Sequence, residues 1–300
     1  MSNKEKYKAF IRDQYVPVFY QDWYLDATCD SPWDIVIVED EGDIVGVLVY
    51  MIKKKFGLTY ILHPQLCPYM GPLFFGIQET DKVYNELISG LPKHHLMIQE
   101  YYHSIPRLRS EMVTNQKYTY IVSSDEDIEV LRSKLSSERR RRIRKAGKLF
   151  SYEVSDSIEE FQVFLERSFS SRGRSNPYGG IEMRKMDAAL SRHGARKIVK
   201  AIDHQGNVIA MQYLMIDQEW VYNLANGVIT DYRHDALSYI LWNEIEQAID
   251  QRKSFDFEGS MIAGVETFFK SLRGTKTHYQ SIYQSANPMI DLLVNIKKKL

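Results

Sequence analysis

Cysteine is scarce. Cys29 and Cys67 are the two in 300 residues, and they offer neither a metal-binding spacing nor a disulfide framework. They read as reduced thiols. The eight histidines contain no HxxxH-type pair, and the neighbours His94 and His95 do not make one, so no metal site is expected. Long apolar runs are missing too. The longest, Ile44 to Ile52, is about half of what spans a bilayer, so no transmembrane segment is expected. The opening MSNKEKYKAF lacks the apolar core of a signal peptide. Together these absences predict a cytoplasmic protein. Charge of either sign is not in excess: 39 basic residues face 39 acidic ones. That balance removes any global pull toward DNA or anionic lipid, so a polyanionic partner needs a local patch.

What is present is apolar and aromatic. The chain is 44% hydrophobic, with 20 Tyr and 13 Phe, which argues against disorder and suits strands and ligand-lined clefts. Its length allows one or two cores.

A repeat organises the chain. IVIVEDEGDIVGVLVYMI (35–52) reads strand, tight turn at Glu41-Gly42, strand. KAIDHQGNVIAMQYLMI (200–216) reads the same way, turning at Gln205-Gly206. Gly42 matches Gly206 at an offset of 164 (206 minus 42), which also aligns Val38 with Ile202 and Gly46 with Ala210. Any Gly-turned hairpin has this look, but the offset is about half the chain, which favours duplication. Helical patterns fall near 4–13, 21–28 and 79–90, then 157–171, 181–193 and 236–251. Strands are expected near 94–98, 117–122, 195–202, 254–258 and 277–284. Hairpins and helices in alternation predict an α/β fold with a mixed (α+β) sheet and helices on its faces. The expected domains are 1–124 and 151–300, joined by a helical connector at 125–150.

That connector is strongly basic. Ile128, Leu131 and Leu135 form an apolar stripe, and a second helix follows with ERRRRIRKAGK. One reading is a structural helix whose arginines meet carboxylates. The other is a patch at 139–148 for an anionic small substrate or tRNA, with DNA not expected. In the tail PMIDLLVNIKKKL, residues 288–300, apolar Ile290, Leu293 and Val294 precede three lysines. It either docks on its own domain or touches anionic lipid.

The order strand 219–228, loop DYRHDALS, helix 236–251, strand SFDFE, short helix, strand resembles the second half of a GNAT acyltransferase. That family binds the donor pyrophosphate at a loop of form R/Q-x-x-G-x-G/A, on exposed N–H groups and a helix dipole. The matching residues are Arg233, Ala236 and Ser238; the spacing is kept and the glycines are not. Across nearly the whole chain the sequence resembles the Fem-like tandem GNAT proteins, which include peptidoglycan interpeptide-bridge transferases. The carriers are PVFYQDWYLDATCDSPWDIVIVEDEGDIVG, RRRRIRKAGK, ARKIVKAIDHQGNVIAMQY and, most specifically, FDFEGSMIAGVETFFKSLRG. The ending SLRG departs from the usual SFG.

The resemblance implies two tandem GNAT-like units with the chemistry in the second. It implies N-acyl transfer to an amine, on a small molecule or a cell-envelope sugar or peptide precursor. No permanently bound cofactor is implied. The donor is acyl-CoA or, as the alternative, aminoacyl-tRNA. It places Phe269 and Lys270 at the transfer centre, where an ammonium stabilises the developing oxyanion by about 3–4 kcal/mol. Read from the residues alone, Lys270 is a solvated last-turn lysine favoured by the helix dipole. Period-two alternation sets Asp256 and Glu258 on one strand face. There, Glu258 above all, they either take the proton of an attacking ammonium or pair with the connector or cap the next helix. Arg172 and Arg174 are candidates to clamp an anion and Tyr178 to stack on a ring. Tyr222 and Tyr239 line the cleft or pack the core. A fold-retaining binding module without turnover is the rival from another class.

Overall fold

The computed structural model describes residues 1–77, 80–101, 112–179, 182–229, 235–259 and 263–285. In chain order the first elements are α1 (Asn3–Phe10), α2 (Asp22–Thr28), β1 (Trp33–Asp40), β2 (Asp43–Lys55), β3 (Leu58–Leu62) and β4 (Pro72–Phe74). There follow α3 (Thr80–Ser89), β5 (Leu96–Tyr101), β6 (Val113–Val122), α4 (Ile128–Lys134), α5 (Ser137–Leu149) and β7 (Phe150–Ser155). The chain continues through α6 (Ile158–Ser170), α7 (Met183–Arg192), β8 (Arg196–Asp203), β9 (Val208–Ile216) and β10 (Trp220–Val228). It closes with α8 (Asp235–Asp250), β11 (Ser254–Asp256), α9 (Ala263–Ser271) and β12 (Thr275–Ser285). The mixed α/β character is as the patterns predict, and the tail 288–300 lies outside the described residues. Among the described residues no helix is long and apolar enough to cross a membrane.

The chain forms two compact units, residues 1–117 with 278–300, and residues 118–277. This corrects the expected boundaries at 124 and 150, and the reason is packing. Leu131, Leu135 and Ala146 of the connector are buried in the same apolar cluster as Ile240, Ile245 and Phe255 of the second unit. Helices α4 and α5 therefore belong to that unit and do not stand between two. The end of β12 pairs with β5 in the first unit, from Gln280↔Tyr101 to Ser285↔Leu96. In the second unit the corresponding place beside β11 is taken by β6, at Phe255↔Val122 and Asp256↔Ile121. Each unit thus takes one strand from the half of the sequence expected to build the other.

The units share a plan. In the first, β1, β2 and β3 are antiparallel, β3 and β5 parallel, and β5 and β12 antiparallel. In the second, β8, β9 and β10 are antiparallel, β10 and β11 parallel, and β11 and β6 antiparallel, with β7 added beside β8. Even the bulges agree, between Val38 and Glu39 in one hairpin and between Ala201 and Ile202 in the other. The leading strands correspond at an offset of 163 (201 minus 38) and the returning strands at 164 (210 minus 46). The second turn is one residue longer. Glu41 and Gly42 make a two-residue turn with both φ positive. In the second hairpin Asp203 accepts the N–H groups of Gln205 and Asn207 across a wider loop.

In the first unit the aromatic N-terminal segment is tied down by hydroxyls. Tyr7 donates to the carbonyl of Tyr20, Tyr20 to that of Gly71, and Tyr24 to that of Leu66. Past the last β3–β5 pair, Leu62↔Ile98, comes His63, whose Nδ1 is buried without a hydrogen-bond partner among the described residues. Burial, followed by the nearby Lys117 charge, pushes its imidazole down to about 4 from 6.5. Between those values the unfolded chain holds the extra proton. Stability is therefore full above about pH 6.5 and falls as pH drops toward 4, by ~3 kcal/mol in all at 1.36 kcal/mol per unit. His63→Gln is expected to flatten this acid limb, read as the melting temperature of both proteins from pH 7 to 4.5.

Candidate active site

The second unit's parallel strands part early. Strands β10 and β11 pair at Trp220↔Ser254, Val221↔Phe255 and Tyr222↔Asp256, where β11 ends while β10 continues to Val228. Beyond that point β10 bulges: Asn223 pairs with Leu214 and Ala225 with Tyr213, leaving Leu224 outside the ladder. The freed Leu224 carbonyl accepts the Tyr178 hydroxyl at 2.9 Å. Burial, with the Glu258 charge second, pushes the Tyr178 phenol above the usual tyrosine range, so it stays a proton donor. Tyr178, Glu258 and the β10 bulge are thereby brought together.

Glu258 is not on the strand. The expected alternation stops at Asp256, and Glu258 and Gly259 both take left-handed backbone, φ 54° and 50°. Asp256 holds this turn from within. Fully buried, its Oδ1 accepts the Thr119 hydroxyl at 2.6 Å and the Glu258 N–H at 2.8 Å. A Cβ at Gly259 would lie 2.6 Å from the Tyr118 carbonyl oxygen, so only glycine fits there. Asp256 is thus a structural clip, in place of the proton acceptor its position in sequence suggests. Glu258 is half-buried, and its Oε1 is buried without a partner among the described residues. Burial first, then the Asp256 charge, hold its pKa well above the usual carboxylate range.

Helix α9 carries the Phe-Lys pair, and the two residues diverge. Phe269 is 4% exposed and stacks on Phe257, centroids 4.6 Å apart. It is a core residue, where a substrate contact was expected. Lys270 is exposed on the last turn, and among the described residues no ion pair or hydrogen bond holds its ammonium. The SLRG turn closes on the core: Leu272 is buried, and Gly274 donates to the Phe269 carbonyl. Glu266, one turn before Lys270, accepts the Tyr118 hydroxyl at 2.9 Å, the Tyr120 hydroxyl at 2.8 Å and the Lys276 ammonium at 3.4 Å. Sequence reasoning missed these tyrosines. Their one signal is alternation on a strand, and their partner lies 146 residues away from Tyr120.

On the donor side, Arg233 lies outside the described residues. Ala236 and Ser238 are fully buried in the first turns of α8. The Ser238 hydroxyl accepts Arg139 at 2.8 Å, so its side chain is committed to the basic helix. Arg139 also donates to Ser271 at 2.7 Å and lies over the Phe268 ring at 5.4 Å. Arg140 donates to the carbonyls of Ser133 and Leu135, and Arg142 pairs with Glu138. Three of the seven basic side chains are therefore held within their own unit. Arg141, Arg144, Lys145 and Lys148 remain exposed, spaced so that they share one side of α5. Arg139→Ala is expected to lower unfolding free energy by about 1–3 kcal/mol through its lost charged hydrogen bonds, checked by urea denaturation.

The remaining candidates separate. Arg172 donates to the Ser168 carbonyl at 2.8 Å and hydroxyl at 3.1 Å, and lies over Phe169. Ser168 in turn bonds both backbone groups of Val228, so Arg172 braces the end of β10. Arg174 is exposed. Tyr178 also lines a cavity of about 140 Å³ with Gln162, Leu165, Glu166, Asn176 and Met183. Tyr222 is buried and stacked on Trp220, and half-buried Tyr239 packs against the cluster containing α5 and α8. No cluster of metal-ligating side chains occurs among the described residues.

A parallel strand pair that parts at a bulge, with a crossover helix between the strands, defines a GNAT fold. Residues 133–270 match the family model described as an acetyltransferase (GNAT) domain. The whole chain has the fold of the Fem-like tandem GNAT proteins. It is similar to the crystal structure of FemX at a TM-score of 0.67 and 13% identity, over 93% of this chain and 96% of that one. A C-terminal domain assigned to a lysylphosphatidylglycerol synthetase from Agrobacterium fabrum aligns at 0.57 and 12% identity, over 95% and 93%. A tandem GNAT protein from the clavulanic acid pathway aligns at 0.51 and 9%, over 95% and 94%. No curated protein matches the chain significantly in sequence.

Proposed function

We propose that the chain is an N-acyltransferase that moves an acyl group from an activated donor to an amine. The observation that carries this is the half-buried Glu258 carboxyl, one oxygen buried without a partner among the described residues and its pKa raised, near Tyr178 at the parting of β10 and β11. A carboxyl whose pKa is raised is a better match for an ammonium proton than an ordinary one. In the reaction Glu258 takes that proton, and the amine attacks the acyl carbonyl. Lys270 faces the oxyanion of the tetrahedral intermediate, and Tyr178 gives its proton to the departing thiolate or alkoxide. The donor is an acyl-CoA thioester, held at the first turn of α8 by backbone N–H groups and Arg233. The exposed stripe Arg141, Arg144, Lys145 and Lys148 favours an aminoacyl-tRNA ester as the second reading. The acceptor is an amine of a cell-envelope precursor. Support for this is the FemX-like fold and the relative named for a lysyl-phospholipid. The reaction is placed in the cytoplasm, where both donors are made.

Thermal shift against coenzyme A, acyl-CoAs, charged and uncharged tRNA and UDP-sugars tests this. Ligand at 100 times its dissociation constant adds about 2.7 kcal/mol. A shift with CoA that Arg233→Ala removes supports the thioester reading. A shift with tRNA alone, abolished by salt, supports the ester reading. Silence across the panel leaves a binding module without turnover.

A further inference from the structure

On a helix, a glutamate four residues before a lysine is the orientation that best forms an ion pair. Glu266 and Lys270 have that spacing on α9, and in an ordinary exposed helix they would meet. Here they do not. Glu266 Oε2 accepts the Tyr118 hydroxyl, and its Oε1 accepts the Tyr120 hydroxyl and the Lys276 ammonium. Lys276 also sits 3.6 Å from the centroid of the Tyr118 ring, which fixes the cation on the tyrosine side. Tyr118 and Tyr120 are alternate residues of β6, so both reach α9 from one strand face. Their rings meet edge to face at 6.2 Å, which holds the two hydroxyls at a fixed separation. The two hydrogen bonds keep the Glu266 carboxyl below its ordinary pKa, so it stays an anion with both oxygens engaged.

We propose that Tyr118 and Tyr120 are positioning residues that sequester Glu266 and so keep the Lys270 ammonium unpaired for the transfer reaction. The proposal rests on the acyltransfer reading only for its purpose, since the sequestration itself is a property of the free protein. Without the two hydroxyls, Glu266 swings back to Lys270 and competes with the oxyanion for the same cation. Atoms and charges are conserved throughout; one ion pair replaces a pair of hydrogen bonds.

The test uses the full-length chain as wild type, Tyr118→Phe/Tyr120→Phe, and the triple variant that adds Glu266→Gln. Phenylalanine keeps both rings, and Tyr118→Phe alone is the milder fallback. The primary readout is the rate at which acetic anhydride labels Lys270 at fixed pH below 9, followed by peptide mass spectrometry. An ion pair protects the unreactive ammonium, so the double variant is expected to label about twofold more slowly. The triple variant, with no carboxylate to pair, should return to the wild-type rate. Simple loosening of α9 would not slow labelling and would not be rescued by Glu266→Gln. Equal rates in wild type and double variant overturn the proposal, as does a triple variant that stays slow. The transfer rate, measured in parallel, judges the function separately. Labelling that responds as expected in a protein that transfers nothing upholds the sequestration and refutes the acyltransferase reading.

Discussion

Glu258→Gln is expected to abolish most acyl transfer and, at the same time, to make the protein more stable. The rate falls about 10²–10⁴-fold because the amide cannot take a proton. The gain in stability follows from the raised carboxyl pKa. In the unfolded chain this group titrates near 4.5. Folded, it holds its proton to a much higher pH. Between the two values the native state binds the extra proton, so native stability is full below about 4.5 and declines as pH rises through the folded pKa. Glutamine carries no such loss, and the advantage of the variant widens with pH by at most ~1.4 kcal/mol per unit. Paired denaturant curves at pH 5, 7 and 8.5, with transfer rates on the same samples, check both arms. A variant that is less stable at pH 8.5, or that keeps its rate, contradicts the assignment. In wild type the transfer rate should climb with pH as Glu258 ionises.

Lys270→Ala should show the opposite division. Its side chain is exposed, and no partner holds it among the described residues. Removing it is expected to change unfolding free energy by no more than about 0.5 kcal/mol. The same change removes the cation at the oxyanion and lowers kcat about 10²–10³-fold. Its neighbour gives the control. Phe269→Ala empties a stacked core position beside Phe257 and is expected to cost about 3–5 kcal/mol of stability. Two adjacent residues would then separate cleanly, one by rate and one by folding. Calorimetry and initial rates on both variants decide it. A Lys270→Ala protein that melts much lower at full rate would make Lys270 a structural residue.

Much of the fold is legible because local patterns carry it. The two hairpins announce themselves through alternation and a glycine turn. The structure places their bulges at matched positions, one residue closer on the leading strands than a single offset allows. The strand exchange is illegible for a physical reason: β6 and β12 read as strands, but nothing in their sequence names their partners. The basic helix misleads in the same way, because composition cannot show that Arg139 is spent on Ser238 and Ser271 while Arg144 and Lys148 are not. At the site, alternation draws attention to Asp256 and Glu258, but the strand ends at Asp256. The pattern does not show how Glu258 is presented, because the backbone leaves the strand there with positive φ. The clamp on Glu266 is invisible from sequence because it depends on two tyrosines far along the chain.

The most direct test is release of free thiol from acyl-CoA, with a panel of amine-bearing envelope precursors, by wild type, Glu258→Gln and Lys270→Ala. Acceptor-dependent thiol release by wild type, lost in both variants while both remain folded, is the predicted result. Equal release by all three proteins would contradict a transfer site at the parting of β10 and β11.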